Sequence, residues 1–347
     1  MKNVLITGGN GFIGSNFLNY IVNKYPDVNF YNYDCNYYCS SKKNTENLNN
    51  KSNYKVYNNK LQSLESLLSL FENERIDTVI HFAAQSHVSN SFINPLEFTN
   101  DNIIGTHTLL EAVRTSIENN KISFNKFIYI STDEVYGDND TFDKYDIKTE
   151  SSKLNPTNPY AATKAAAEML VNSYFHSFKI PIIIVRSNNV YGKYQYYEKV
   201  IPKFIYQVLD NKKITIQGNC GLNRRCFLYI DDFISGLEII LTKGKINEIY
   251  NIGSGNEITI LDLAKKIIKM TNKNDNDNDN ENENENENFN NRITFIKDRN
   301  YNDKRYYISN DKLMELGWIQ NYNLDRGLKE TIEWYKRNRD YWISELT

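Results

Sequence analysis

No stretch of this 347-residue chain stays apolar for the about 18 residues that a membrane-crossing helix needs. Its start, Met-Lys-Asn and then Val-Leu-Ile, runs into glycines. That reads as a strand entering a loop, since a signal peptide has a longer apolar core. Cysteine is scarce: Cys35, Cys39, Cys220 and Cys226 are all there is. Their spacing fits no common zinc pattern. A disulfide framework is not expected in a chain of this size without a secretion signal, so a reducing, cytoplasmic setting and no metal are expected. The four histidines (His81, His87, His107, His176) form no cluster with metal spacing, and there is no serine-hydrolase elbow. Charge of one sign is also lacking. The net charge of −2 favours neither nucleic acid nor an acidic membrane as partner. The acids are unevenly placed, however. Seven fall between Asp275 and Glu287 without a single base, and taking them out leaves the rest of the chain at +5. That balance is compatible with a polyphosphate or sugar-nucleotide ligand.

What is present begins with Lys2–Thr7 as a strand, followed at once by Gly8-Gly-Asn-Gly11-Phe12-Ile13-Gly14, and then by a helix burying Phe17, Leu18, Ile21 and Val22. Strand, glycine loop, helix is the context in which such glycines bind a dinucleotide. They allow the tight turn and a close approach of the backbone to a pyrophosphate, which sits at the helix N-terminus. A second strand ends in Asp34, twenty residues past Gly14, where an acid meets ribose hydroxyls and would repel a 2′-phosphate; this favours NAD over NADP. Strands then alternate with helices: a third strand ends at Asn58-Asn59, Asp77–Phe82 opens into Ala83-Ala84-Gln85-Ser86, Glu97–Ser116 is a long helix, Lys126–Ile130 is a fifth strand and Pro181–Arg186 a sixth. The fold class this predicts is α/β, a doubly wound parallel sheet, with a smaller C-terminal α/β lobe for the substrate.

The fifth strand stops being apolar all at once, at Ser131-Thr132-Asp133-Glu134. Ligands of open α/β sheets bind beyond the carboxyl ends of the strands. The strand therefore carries hydroxyls and two carboxylates into a cleft, and two adjacent carboxyls serve as acid and base when their environments separate them. Further on, Asn158-Pro-Tyr160-Ala-Ala-Thr-Lys164 opens a helix. Tyr160 and Lys164 share one face of it, and an ammonium beside a phenol would lower the phenol toward neutrality.

These marks resemble one family, the nucleoside-diphosphate-glucose 4,6-dehydratases among the extended short-chain dehydrogenases/reductases. The resemblance rests on G-G-N-G-F-I-G at 8–14, H-F-A-A-Q-S-H-V at 81–88, S-T-D-E-V-Y-G at 131–137, N-P-Y-A-A-T-K at 158–164, N-N-V-Y-G at 188–192, E-K-V-I-P-K-F at 198–204, Y-N-I-G at 250–253 and R-N-Y-N-D-K-R-Y at 299–306. It is closer to the UDP-glucose 4,6-dehydratase part of rhamnose synthases than to the dTDP-specific bacterial enzymes, and so implies rhamnose or other deoxysugar biosynthesis. It implies catalytic roles for Thr132, Asp133, Glu134, Tyr160 and Lys164. Tyr160 takes the C4-hydroxyl proton, Glu134 removes the C5 proton and Asp133 protonates the departing C6 hydroxyl, with NAD reduced transiently. Cofactor contacts are implied for Gly8, Gly11, Phe12, Ile13, Gly14, Asp34, Asn59, Ala83, Ala84, Ser86, Tyr160 and Lys164. Substrate contacts are implied for Ser86, Thr132, Asn189, Glu198, Lys199, Thr215, Gln217, Arg225, Asn256, Arg299 and Arg305. A homodimer joined through the helices around 97–117 and 160–178 is implied as well.

The expected domain map is a NAD-binding Rossmann domain over 1–186 and a mainly substrate-binding lobe over 187–347, with part of 225–245 returning to the Rossmann sheet and 272–291 a disordered Asn/Asp/Glu insertion. Asn59 stands where the family commonly has Asp, Lys193 and Tyr197 replace usual prolines, and Cys226 follows Arg225 where Asp or Ser is more usual. A 4-epimerase or decarboxylase on the same fold, or a non-catalytic NAD-binding scaffold, would share most of these marks; the Asp133-Glu134 pair argues against the first and the intact catalytic set against the second.

Overall fold

The structure is a computed structural model that describes residues 1–119, 121–139, 146–218, 220–272, 289 and 291–342. The expected insertion at 272–291 thus lies for the most part outside the described residues. The strands are β1 (Asn3–Thr7), β2 (Asn29–Asp34), β3 (Tyr54–Asn58), β4 (Thr78–His81), β5 (Lys126–Thr132), β6 (Ile182–Ser187), β7 (Asn189–Tyr191), β8 (Ile214–Gln217), β9 (Arg224–Tyr229), β10 (Glu248–Ile252), β11 (Glu257–Thr259) and β12 (Ile293–Ile296). Seven of them form one sheet in the order β10-β6-β5-β4-β1-β2-β3, every pair parallel. The order reverses between β1 and β4, and their carboxyl ends open the crevice in which such sheets bind ligands.

The buried strands show why they form. Val4 and Ile6 of β1 enter one apolar layer and Leu5 the other, so the period-2 alternation packs both faces of the sheet. Each such fully buried side chain contributes about 1.5–3 kcal/mol. One layer takes α1 (Phe12–Lys24) through Phe17, Leu18, Ile21 and Val22. The other takes Leu67, Leu70 and Phe71 of α2 (Leu64–Glu74).

Three features differ from the sequence reading. β5 does not end at Ile130 but runs on to Thr132, because Ser131 and Thr132 pair with Arg186 and Ser187 of β6. The long helix at 97–116 is preceded by α3 (Val88–Ile93) and divided into α4 (Pro95–Phe98), a π-helical turn Thr99–Ile104, and α5 (Gly105–Glu118). The central sheet is not confined to 1–186. The helix Ile230–Lys243 leads back to it, but the strand that joins is β10, just past the expected 225–245 segment. The remaining strands make two small sheets, β11-β9-β7 and β12-β8, above the crevice.

Candidate active site

A cavity of about 930 Å³ runs along the carboxyl ends of β1, β2, β4, β5 and β6 and under the small sheets. At one end the chain turns through Gly8 and Gly14 into α1. Gly8 has φ +73°, and a Cβ there would press on the Ala83 backbone; a Cβ at Gly14 would strike the Gly8 carbonyl. The close packing of loop, strand and helix therefore admits no side chain, and it leaves the first backbone N–H groups of α1 facing the cavity. Across from them Asp34 ends β2. Its Oδ2 accepts from the Asn10 backbone N–H at 2.9 Å and its Oδ1 from that of Asn36 at 2.7 Å. Burial pushes this carboxyl up and those N–H groups pull it back down. Glycine cradle, helix N-terminus and fixed acid together fit an NAD-like dinucleotide. Gly11, Phe12, Ile13, Asn59, Ala83, Ala84 and Ser86 line the same end.

At the middle of the cavity stand Thr132, Glu134, Tyr160 and Lys164. α6 (Pro159–Phe178) supplies the last two. It starts where the sequence predicts, with Asn158 as its cap, Oδ1 accepting from the Ala161 N–H at 2.9 Å, and Pro159 at the first position. The cap has a second task that sequence reasoning missed. The Nδ2 of Asn158 donates to Glu134 Oε2 at 3.0 Å, aiming that carboxylate into the cavity. Burial pushes Glu134 up; Asn158 is the main counterweight, and Arg225 and Arg299 also pull it down. Thr132 Oγ1 accepts from the Glu134 N–H at 3.3 Å and caps the tight turn that follows β5.

Two expectations about this set need correction. Asp133 does not line the cavity. It is 2% exposed, and its Oδ2 is held by Asn188 Nδ2 at 2.6 Å while Oδ1 accepts from Thr132 Oγ1 at 3.3 Å. Asn188 is fixed in turn, its Oδ1 accepting from the Ser254 N–H at 3.0 Å. Burial, helped by the nearby Glu134 charge, pushes Asp133 up to about 7, so it keeps its proton until the pH approaches neutrality. Nor does Lys164 depress Tyr160. Its ammonium donates to the Ile130 carbonyl at 2.7 Å and lies 4.3 Å from the Tyr129 ring centre. Burial brings Lys164 down to about 7. Tyr160 is pushed up instead, by burial and then by the Glu134 charge, against a smaller opposing pull from the Thr132 hydroxyl.

At the far end, Asn189, Glu198, Lys199, Thr215, Gln217, Arg225 and Arg299 line the cavity. Lys199 Nζ reaches the Ser86 carbonyl at 2.6 Å, and Glu198 accepts from the Tyr38 hydroxyl at 2.9 Å, so the two sides of the cleft touch here. Arg225 donates to the Asp303 carbonyl at 2.7 Å and stacks over Tyr306 at 4.6 Å. Asn256 and Arg305 do not reach this cavity. Arg305 is buried against Glu257, Nε to Oε1 2.5 Å, and lies over the Tyr307 ring; Asn256 lies beside them in a separate shallow hollow. The pairing with Glu257 decides this, because a guanidinium taken out of water is held by its carboxylate.

The π turn is a second feature missed from sequence. It brings Asn102 against the cavity wall, where Oδ1 accepts from the Gln85 N–H at 2.8 Å and Nδ2 donates to the Gln85 carbonyl at 3.0 Å and to Thr163 at 2.9 Å. Such turns inside α-helices often mark functional sites. Among the described residues no group of three or more His, Cys, Asp or Glu could hold a metal ion, and no helix is long and apolar enough to cross a membrane.

Comparison with known proteins finds a match to the family described as GDP-mannose 4,6 dehydratase over residues 5–331. The chain is 46% identical to a dTDP-D-glucose 4,6-dehydratase of Dictyostelium discoideum, covering 99% of this chain and 84% of that one. It is 41% identical to a trifunctional UDP-glucose 4,6-dehydratase/UDP-4-keto-6-deoxy-D-glucose 3,5-epimerase/UDP-4-keto-L-rhamnose-reductase of Arabidopsis thaliana, covering 98% of this chain but 48% of that three-activity protein. Among solved structures, a dTDP-glucose 4,6-dehydratase from Streptomyces venezuelae with NAD bound superposes with a TM-score of 0.87 at 30% identity, covering 99% of each chain.

Proposed function

The chain belongs to the GDP-mannose 4,6 dehydratase family and is an NAD-dependent nucleoside-diphosphate-glucose 4,6-dehydratase; for its working substrate we propose UDP-glucose ahead of dTDP-glucose, with the residues in the roles that follow. The observation that carries the mechanism is a carboxylate, Glu134, aimed into the cavity beside Thr132, Tyr160 and Lys164. NAD would be held by the glycine loop and Asp34 and would supply the hydride chemistry that the C4 oxidation and C6 reduction need. Tyr160 takes the C4-hydroxyl proton. Because burial holds its phenol up, it acts as a base only with a positive charge beside it. The chain's own source is the Lys164 ammonium, turned from the Ile130 carbonyl. The 4-ketone acidifies C5–H, and Glu134 removes that proton. Asp133 supplies the proton for the leaving C6 hydroxyl by way of Thr132: the hydroxyl that now donates to Asp133 turns to accept the Asp133 proton as it passes its own to the leaving oxygen in the cavity. Each transfer is positioned acid–base catalysis. Lys164 and Asp133 both need their protons, so activity falls as pH rises through about 7.

The preference for UDP-glucose rests on the base end. Thr215 is engaged by Gln207, its N–H and Oγ1 both bonded to that amide at 3.1 and 3.0 Å. This leaves Gln217, lining the cavity beside it, as a polar group for the ribose 2′-hydroxyl that only the UDP sugar has. Side-by-side kcat/KM values test this. UDP-glucose is expected ahead by up to about tenfold, since one such hydrogen bond is typically worth about 0.5–1.5 kcal/mol; a clear preference for dTDP-glucose overturns it.

We place the lobe boundary after β6, with β10 lent back to the nucleotide-binding sheet, and assign the protein to the cytoplasm, where Cys35, Cys39 and Cys226 stay free thiols. We also propose an isologous homodimer. Ile93, Leu96, Ile104, Met169 and Phe178 are large apolar side chains left exposed on α3, α4, the π turn and α6, Leu96 at 82%. A surface of this kind suits a second copy. Light scattering at micromolar concentration is expected to give twice the chain mass of 40.7 kDa; the mass of a single chain refutes the dimer.

A further inference from the structure

The row Tyr160, Lys164 does not end at Lys164. One turn on, the same face of α6 carries Glu168, a carboxylate 2% exposed that has no part in the mechanism above. It is gripped by Arg186 of β6, with Nη2 to Oε2 at 2.6 Å and Nε to Oε1 and Oε2 at 3.1 and 3.2 Å. The same guanidinium reaches the other way. Its Nη1 donates to the Tyr136 hydroxyl at 2.8 Å, and its plane lies over the Tyr136 ring at 4.7 Å. Tyr136 is the last residue of the turn that begins with Asp133 and Glu134, and its hydroxyl donates to Asn251 Oδ1 on β10 at 2.8 Å. Arg186 thus joins the helix carrying Tyr160 and Lys164 to the turn carrying the two carboxyls.

We propose that Glu168 is a positioning residue of the dehydratase: the buried counter-charge of Lys164, held in place by Arg186, which ties it to the Asp133–Tyr136 turn. The case is one of elimination as well as geometry. The groups facing the Lys164 ammonium are the Ile130 carbonyl and Tyr129 of β5, His81 of β4, and Tyr160 and Glu168 of α6 itself. His81 is driven down to about 3 by burial and is neutral, bonded to Thr7 and Thr106. With Lys164 bonded to the Ile130 carbonyl, Tyr129 and Tyr160 are both held up by burial and add no negative charge. One helical turn from Lys164 on the same buried face, Glu168 is the carboxylate of this set, and its charge opposes the burial that drives the ammonium down. A buried pair of this kind is poor evidence of added stability, since apolar replacements often do as well. Its placement between two catalytic elements gives it a different reason to be there.

The proposal rests on Lys164 working in its charged form, and the test keeps the two apart. The readout is the pH profile of kcat/KM for NDP-glucose dehydration by the NAD-loaded protein. If wild type shows no loss on the alkaline side, the reading of Lys164 fails. With that limb present, Glu168→Gln is expected to move its onset acidward by about one pH unit, because Lys164 loses its counter-charge and Arg186 is left unbalanced. Asp133 titrates on the same side but is untouched by this change, and the lower of the two values governs the onset. Glu168→Asp, which keeps the charge, is expected to return the onset to its wild-type place. Should Glu168→Gln not fold, Glu168→Gln/Arg186→Gln leaves no charge unpaired and is expected to shift the onset in the same direction by less. A folded Gln variant that loses activity equally at every pH, with the onset unmoved, overturns the proposal, as does an Asp variant displaced as far as Gln.

Discussion

Replacing Glu134 by Gln is expected to lower dehydration by about 10²–10⁴-fold, the range in which a positioned acid or base contributes, while leaving NAD binding and the first oxidation in place. An amide cannot take the C5 proton. It can, however, occupy the same space and keep its contact with Asn158 Nδ2, whose present partner is Glu134 Oε2 at 3.0 Å. The turn beneath it is held by Thr132 and by Tyr136, neither of which the change touches. The lesion is therefore chemical rather than structural. In a single turnover with NDP-glucose, NADH absorbance is expected to rise and persist, because the hydride has left C4 and cannot proceed to C6. Dehydration by the variant at the wild-type rate would remove Glu134 from its role.

Tyr160→Phe is expected to cost as much, about 10²–10⁴-fold, with the opposite signature. Without the phenol oxygen nothing accepts the C4-hydroxyl proton, so no NADH absorbance appears at any point in the turnover. The ring keeps its packing: Tyr160 is 8% exposed and meets Phe98 edge-on at 6.5 Å. NAD content and the thermal transition are therefore expected to stay close to wild type. A variant that accumulates NADH at the wild-type rate would mean that another group is the base. Together the two substitutions divide the reaction at its midpoint, one blocking the step before the ketone and the other the step after it.

Much of this site was legible because it is local. The glycine loop, Asp34, the polar end of β5 and the Asn158–Lys164 helix start each depend on residues close together in the chain, where turn chemistry, capping and the strand-to-helix change leave marks. What escaped depends on partners far away. Asp133 and Glu134 look equivalent in sequence; Asn188 draws one into the interior and Asn158 aims the other at the cavity. Arg305 and Asn256 belong to a motif and a loop that resemble substrate-binding ones, yet Glu257 takes the guanidinium away from the cavity. The tyrosine–lysine spacing placed both groups on one helix face but could not show the Ile130 carbonyl to which Lys164 turns. The end of β5 escapes the sequence for a related reason. Ser131 and Thr132 look like a turn by composition, and only their register with β6 makes them strand. The π turn at 99–104 gives no periodic signal at all; it is set by the Asn102 contacts it creates.

The central claim is that the hydrogen leaving C4 is returned to C6 of the same sugar while water leaves. The most direct measurement is mass spectrometry of the product formed from NDP-glucose carrying deuterium at C4. The account predicts a 4-keto-6-deoxy sugar nucleotide lighter by one water, with the deuterium retained and now on C6. A product of unchanged mass, differing from the substrate only in the configuration at C4, would contradict it and make the protein an epimerase on the same fold.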